Sequence, residues 1–381
     1  MGAMAEHMVQ RIARFLRDPG AGKFEELALE AFAFQTEHIP AVRALAEARG
    51  ALPGTVEDWR EIPAVPALAF KSVELGLDAG GEAEAEVFRS SGTTGRARSV
   101  HRHAFPGLYR AAIDASFPRY CLPRPASPER VPMLSLIPAW ADLPDSSLSF
   151  MVDHVLRRWG AAEASDYAFG AGGSEEVVGT GAGRWAGLDA EAARRWAEAR
   201  QVDGRPGVIL ATPFALAAWL NELEAASERH RLPEGTVLFE TGGFKGRRRE
   251  LARAELIARA ADRLSIPPER VVREYGMTEL TSQLYTDTLA GGDPDLFVPP
   301  HWMRVRVLDP ESPGDRLEEA PPGEPGLIAI FDLANLSSAV HLLTEDLGAT
   351  EPGGLRLLGR AAGSELRGCS LTAEEMLASR S

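Results

Sequence analysis

The chain has 381 residues, 45% hydrophobic and 25% charged, a balance that suits a globular protein of two or three domains and excludes a disordered or fibrous one. Its 55 acidic residues outnumber 41 lysines and arginines, and a net charge of −14 argues against nucleic acid or an anionic membrane as main partner. No apolar stretch is long enough for a membrane span, and two cysteines, Cys121 and Cys369, are too few for a disulfide framework, so the expected compartment is the cytoplasm.

The N-terminus, MGAMAEHMVQRIARF, lacks the apolar core of a secretion signal and reads as helix or tag. Residues 5–17 and 24–49 carry helical spacing, interrupted by Pro19-Gly20 and Pro40. REIPAVPALAF at 60–70 is too proline-rich for a helix and is expected to be extended. VPMLSLIP at 131–138 reads as a buried strand, and SSLSFMVDHVLRRWG as a helix opening on Ser146-Ser147. A Gly-rich loop at 170–183 precedes a helix at 189–201, a strand at 207–211, a helix after Thr212-Pro213 and a strand at 236–240. A basic helix from about residue 247 to 264 leads to a strand at 271–274. This alternation indicates an α/β fold with a mainly parallel sheet. Beyond residue 300, MRVRVLD, GLIAIFD and GLRLLGR are short strands between Pro and Gly turns, which suggests a smaller β-rich subdomain. The expected division is 1–300, 301–360 and a short terminal segment, 361–381, holding Cys369.

Three separated stretches carry chemistry. Ser90-Ser91-Gly92-Thr93-Thr94-Gly95 favours neither helix nor strand. It is either a flexible linker or a loop whose N–H and hydroxyl groups wrap a phosphate. Glu274-Tyr275-Gly276-Met277-Thr278-Glu279 stands at the end of a predicted strand, where open α/β sheets bind ligands. There an aromatic can stack on a base, a hydroxyl can reach a phosphate and a carboxylate can hold magnesium; a buried Tyr before a helix start is the plainer alternative. Leu343-Thr344-Glu345-Asp346-Leu347-Gly348 supplies an acid suited to ribose hydroxyls, and Arg360 a cation for phosphate or ribose. A surface turn and a solvated arginine would look the same.

In order and type these stretches resemble the adenylate-forming superfamily of acyl-CoA synthetases, luciferases and peptide-synthetase adenylation domains. SSGTTG looks like its phosphate loop, EYGMTE its adenine and magnesium motif, TEDLG its ribose-binding acid and Gly359-Arg360 its hinge arginine. IPAVPALAFKS, FETGGFKGRRRE (with Gly242, Gly243 and Lys245) and GRAAGSELRGCSLTAEEM are similar to LuxE-type acyl-protein synthetases, with phenylacetate-CoA ligases as relatives. This likeness runs from about residue 30 onward. It implies the large N-terminal domain of an adenylate-forming enzyme, with ATP and Mg2+ as cofactors.

The resemblance implies roles residue by residue. Ser90 to Gly95, Gly242, Gly243, Glu274 to Thr278, Asp346 and Arg360 would bind the nucleotide, and Glu279 the metal. Thr93, Thr94 and Arg98 would neutralise pyrophosphate; Arg98 stands where the family has lysine, keeping charge but as a planar fork. Glu345 replaces a usual glycine. The family continues into a further small domain with a catalytic lysine, whereas this sequence ends 21 residues after Arg360, so either adenylation proceeds without that lysine or a local cation, Lys245 or Lys71, is expected to replace it. Lys245 is otherwise a solvated residue heading a basic helix. Cys369, beside Gly368 and Arg367, matches the cysteine that takes the acyl group from the adenylate and hands it to a partner reductase. Cys121 is expected to pack inside. His101 and His103 either orient phosphate or lie at the surface, and His154 is expected to be a buried imidazole.

The function implied is ATP-dependent activation of an apolar carboxylic acid, followed by transfer to Cys369 and on to an acyl-accepting protein. One alternative is a ligase passing the acyl group straight to CoA or an amine. Another is a nucleotide-binding subunit without catalysis.

Overall fold

A computed structural model describes residues 2–77, 85–90, 98–123, 129–169, 187–242, 253–312 and 317–361. The chain divides into two compact units. The first comprises Met1–Ala115, Met277–Leu284 and Leu296–Ser381; the second comprises Ser116–Gly276 and Tyr285–Asp295.

The first unit opens with helices α1 (Gly2–Arg17), α2 (Phe24–His38) and α3 (Pro40–Ala48). Ala5, Met8, Ile12 and Phe15 recur at helical spacing along α1 and are all buried. Pro40 ends α2 and sits in the first turn of α3, where its missing N–H costs nothing. The proline-rich stretch after it is not simply extended. Prolines limit the strand β1 to Val65–Pro66, and 3₁₀ turns fill Trp59–Glu61 and Ala67–Lys71 around it. A hairpin follows, β2 (Glu86–Arg89) paired antiparallel with β3 (Val100–His103). Helix α4 (Pro106–Cys121) then leads out of the first unit.

The second unit alternates strictly. Its elements are β4 (Met133–Ser135), α5 (Ser147–Trp159), β5 (Asp166–Tyr167), α6 (Ala190–Asp203), β6 (Val208–Ala211), α7 (Pro213–Ala225), β7 (Val237–Thr241), α8 (Arg253–Leu264) and β8 (Val271–Tyr275). Strands β5, β4, β6, β7 and β8 lie side by side in that order, all parallel. Strand β4 covers only three of the eight residues expected to be extended, because the chain turns at Ile137, whose amide binds the Ser135 hydroxyl. The expected basic helix is described only from Arg253, and the Gly-rich loop lies outside the described residues. Every residue of β6 and β7 is buried, the mark of a parallel sheet covered on both faces. Helices are fixed by their caps: Ser146, Asp189 and Thr212 each accept a hydrogen bond from the amide three residues on. Trp196, Leu216, Trp219 and Leu220 of α6 and α7 pack with Ile209, Leu238 and Val271 into one core.

Strand β9 (Leu284–Thr286) flanks β8, and the Thr286 hydroxyl accepts from the Arg273 amide at 3.0 Å. Back in the first unit, β10 (Leu296–Val298), β11 (Met303–Leu308), β12 (Gly326–Asp332), β13 (His341–Glu351) and β14 (Gly354–Arg360) form an antiparallel array ordered β11-β12-β13-β14-β10. The longest strand, β13, was not expected. It contains the TEDLG stretch, which is therefore strand rather than surface turn, with a bulge at Leu347/Gly348. Gly348 is required there, since a Cβ would lie 2.8 Å from Leu355 and 2.9 Å from the Arg356 carbonyl. Strand β1 joins this array parallel to β13, with Val65 opposite Leu342.

Candidate active site

In the first unit, the hydroxyl-rich run lies in sequence between β2 and β3. Ser91 to Gly95 lie outside the described residues, but the base of the loop is clear. The Ser90 amide donates to Ser99 O at 3.1 Å, and the Ser99 amide donates to the Ser90 hydroxyl at 2.9 Å. Arg98 closes the base: Nε donates to Ser90 O at 2.5 Å and Nη2 to Arg89 O at 3.2 Å. Arg98 thus holds the loop's two stems together.

The predicted acid and arginine do come together. Asp346 on β13 lies directly opposite Arg360 on β14, with Arg360 Nε 3.4 Å from Asp346 Oδ1. The neighbouring Glu345 carboxylate stands between two cations, 3.6 Å from Arg360 Nη2 and 3.6 Å from Lys71 Nζ. Lys71 reaches it because β1, ending at Pro66 a short way upstream in the chain, is zipped to β13. Glu345 and Asp346 are 17% and 20% exposed, Lys71 34% and Arg360 64%, so the cluster faces solvent from one side.

Thr278 and Glu279 occupy the irregular segment between β8 and β9, also in the first unit. Its backbone has no ladder, so other side chains take its polar groups. His101 Nδ1 is 2.6 Å from Thr278 O, and Asn335 Nδ2 donates to Glu279 O at 2.9 Å. The Asp332 carboxylate accepts from the amides of Thr281 and Ser282 at 3.2 and 2.7 Å, and from the Ser282 hydroxyl at 2.8 Å. Burial nevertheless pushes Asp332 up to about 6 against the pull of those donors. His101 and His103 are fully buried, which overturns the surface alternative for both. Burial drives the His101 pKa down to about 4 and that of His103 well below the usual range, so both rings are neutral. The sequence reading missed Asp332 and Asn335, which brace this segment, and Ser338, which contacts His101; short polar residues with no motif gave no signal. The alternation His101-x-His103 was a signal, since on a strand it puts both rings on one face.

In the second unit, Tyr275 and Glu274 end β8 as expected, and both are buried. Thr241, opposite Glu274 on β7, gives its hydroxyl to the Glu274 carboxylate. Burial raises the Glu274 pKa to about 7, with the Thr241 bond pulling the other way. Gly242 follows with φ of 85°, a left-handed turn that glycine adopts without strain. Gly243 and Lys245 lie outside the described residues, as does Cys369. Cys121 is buried as expected, its thiol raised well above the ordinary value by burial and then by Glu274. His154 is half-buried rather than buried, edge-on to Trp159.

Among the described residues no cluster of three or more His, Cys, Asp or Glu could cage a metal, and no helix is long and apolar enough to cross a membrane. No family model matches this sequence, and no curated protein matches it. Solved structures do. One is 2-hydroxyisobutyryl-CoA ligase in an open conformation, in complex with 2-HIB-AMP and CoA: 14% identity, TM-score 0.58, covering 88% of this chain and 74% of that one. The same ligase in its thioesterification state gives 13%, 0.58, 94% and 69%. ATP-bound MatB from Rhodopseudomonas palustris gives 17% identity and a TM-score of 0.46, covering 72% of this chain. This chain spans 47% of the MatB chain, about half its length. The fold is shared with the 2-hydroxyisobutyryl-CoA ligase structures, α/β with a mainly parallel sheet in its second unit.

Proposed function

We propose that this protein activates an apolar carboxylic acid with ATP to an acyl-adenylate, then transfers the acyl group to Cys369 and on to a partner protein. The observation that carries the reading is the cluster on β13 and β14: the acid and arginine of the resemblance are cross-strand partners, with Lys71 at their side. The shared fold, seen in a ligase that holds 2-HIB-AMP, supports it.

In the first step a carboxylate oxygen bonds to the α-phosphorus of ATP while the bond to the β-phosphate breaks and pyrophosphate leaves. The burden is charge neutralisation and alignment, which suits a loop of N–H and hydroxyl donors. Thr93 and Thr94 face the leaving phosphates on this reading, with Arg98 adding charge at the loop's base. Tyr275 stacks the adenine, Thr278 meets the α-phosphate, and Asp346 and Arg360 take the ribose; Lys71 or Lys245 supplies the local cation. Glu279 alone suits magnesium, which prefers one or two carboxylates plus waters and substrate phosphates. When bound, that ion would offset phosphate charge.

In the second step a thiolate attacks the acyl carbon and AMP departs with the bonding electrons. Of the two cysteines, Cys121 is buried and its thiol held protonated, so the nucleophile of this reading is Cys369. Carboxylate-dependent ATP–pyrophosphate exchange, screened over acids of different length and ring content, tests the first step. Intact-protein mass spectrometry tests the second. Cys369→Ala should keep exchange and lose the acyl adduct. Wild-type product formation by that variant would redirect the acyl group to a small acceptor such as CoA. ATP binding without exchange for any acid would leave a non-catalytic nucleotide-binding subunit.

A further inference from the structure

We infer that His101, on β3, is a positioning residue for Thr278 and Glu279, the segment that carries the hydroxyl and carboxylate; this rests on the adenylation reading above. The tautomer follows from the partners. A carbonyl only accepts, so the Nδ1 atom 2.6 Å from Thr278 O carries the proton. The bare Nε2 then accepts from the Ser338 hydroxyl at 2.8 Å. Phe70 packs edge-on with the ring at 5.5 Å between centroids, and the His103 ring lies 4.3 Å away, so two rings pack against the imidazole. The depressed pKa keeps it neutral at every physiological pH.

Next along the chain, Asn335 holds the Glu279 carbonyl, and its Oδ1 accepts from Thr281 Oγ1 at 2.7 Å. That hydroxyl in turn accepts from His103 Nε2 at 3.1 Å. Two consecutive peptide planes, after Thr278 and after Glu279, are thus pinned by His101 and Asn335. Because this segment belongs to no helix or strand, those bonds set where the Thr278 and Glu279 side chains point. His101 lies on β3 opposite Phe88 of β2, so one imidazole ties the hairpin strands to the segment that carries Thr278 and Glu279.

Two amide substitutions separate positioning from bulk packing. His101→Asn puts its amide nitrogen where Nδ1 sits and keeps the Thr278 bond; His101→Gln reaches the Nε2 position and keeps only the Ser338 contact. With Tm changed little, His101→Gln should lower kcat of pyrophosphate exchange by about 10- to 100-fold, the cost of displacing reacting groups by about 1 Å, with KM for the acid nearly unchanged. His101→Asn should restore most of it. Equal losses in the two variants, or wild-type kcat in His101→Gln, would overturn the assignment. Should His101→Gln fail to fold, the wild-type ring decides: imidazole 15N NMR must find the His101 proton on Nδ1 with Nε2 bare, whereas a proton on Nε2 or a charged ring refutes the role. MgATP affinity distinguishes the two layers of inference. If wild type binds MgATP but exchanges with no acid, the adenylation reading falls while His101 is still judged, by whether His101→Gln but not His101→Asn weakens MgATP binding. If wild type does not bind MgATP, both fall.

Discussion

Glu274 offers a prediction that its neighbours make quantitative. Its carboxyl is buried at the end of β8, receives one hydroxyl from Thr241, and titrates at about 7 instead of its ordinary 4.5. A raised carboxyl pKa means the folded state binds the proton more tightly than the unfolded chain does. The associated stability is therefore fully present below pH 4.5 and lost as pH rises through 7. At 1.36 kcal/mol per unit, the loss across that window is about 3 kcal/mol. Glu274→Gln keeps the shape and cannot ionise, so its stability should not carry this slope. Measured by urea unfolding with tryptophan fluorescence, which Trp196 and Trp219 of the same unit report, the variant should gain on wild type by about 3 kcal/mol between pH 4.5 and 8. Thr241→Val removes the one bond that favours the anion, so it should move the wild-type transition to higher pH. A difference between Glu274→Gln and wild type that is flat with pH, or that shrinks as pH rises, would refute the assignment of burial as the dominant cause.

Other expectations concern the core and the cluster on β13. Trp219 is completely buried in the second unit, so Trp219→Ala should cost about 3–5 kcal/mol in unfolding free energy. Its Nε1 has no hydrogen-bond partner among the described residues, so Trp219→Phe, which removes that buried donor, should cost far less than the alanine change. Lys71→Ala should leave Tm nearly unchanged, because a partly exposed pair at 3.6 Å is worth at most about 1 kcal/mol, yet lower the exchange rate at least tenfold; intact exchange would remove Lys71 as the local cation. Asp346→Asn should raise KM for ATP more than it lowers kcat, measured in the same assay, because its proposed partner is the ribose and not the reacting phosphorus.

Much of the second unit was legible in the sequence because each element there carries its own local signal. Thr212-Pro213 caps and starts α7, β6 is an unbroken apolar run and β7 opens on one, Val237 to Phe239. The first unit was harder. Strand β13 mixes Thr344, Glu345, Asp346 and Gly348 into its middle, and only pairing on both sides, with β12 and β14, makes a strand of residues that locally favour a turn. The hairpin around the hydroxyl-rich run escaped notice because its strands are four residues each and its turn has no short-hairpin signature. The Asp346–Arg360 pair was readable as chemistry, and its register required the bulge at Leu347/Gly348, which no pattern announces. The bracing of Thr278 and Glu279 depends on contacts across 56 to 237 positions of chain, beyond any local pattern.

The central claim is that an oxygen of the acid attacks the α-phosphorus of ATP. Heavy-oxygen label placed in the carboxylate follows that bond. After a complete turnover, mass spectrometry of the products should find the label in AMP, carried there when the acyl group leaves the adenylate. Label in inorganic phosphate, or no transfer of label from the acid to any phosphorus, would contradict it.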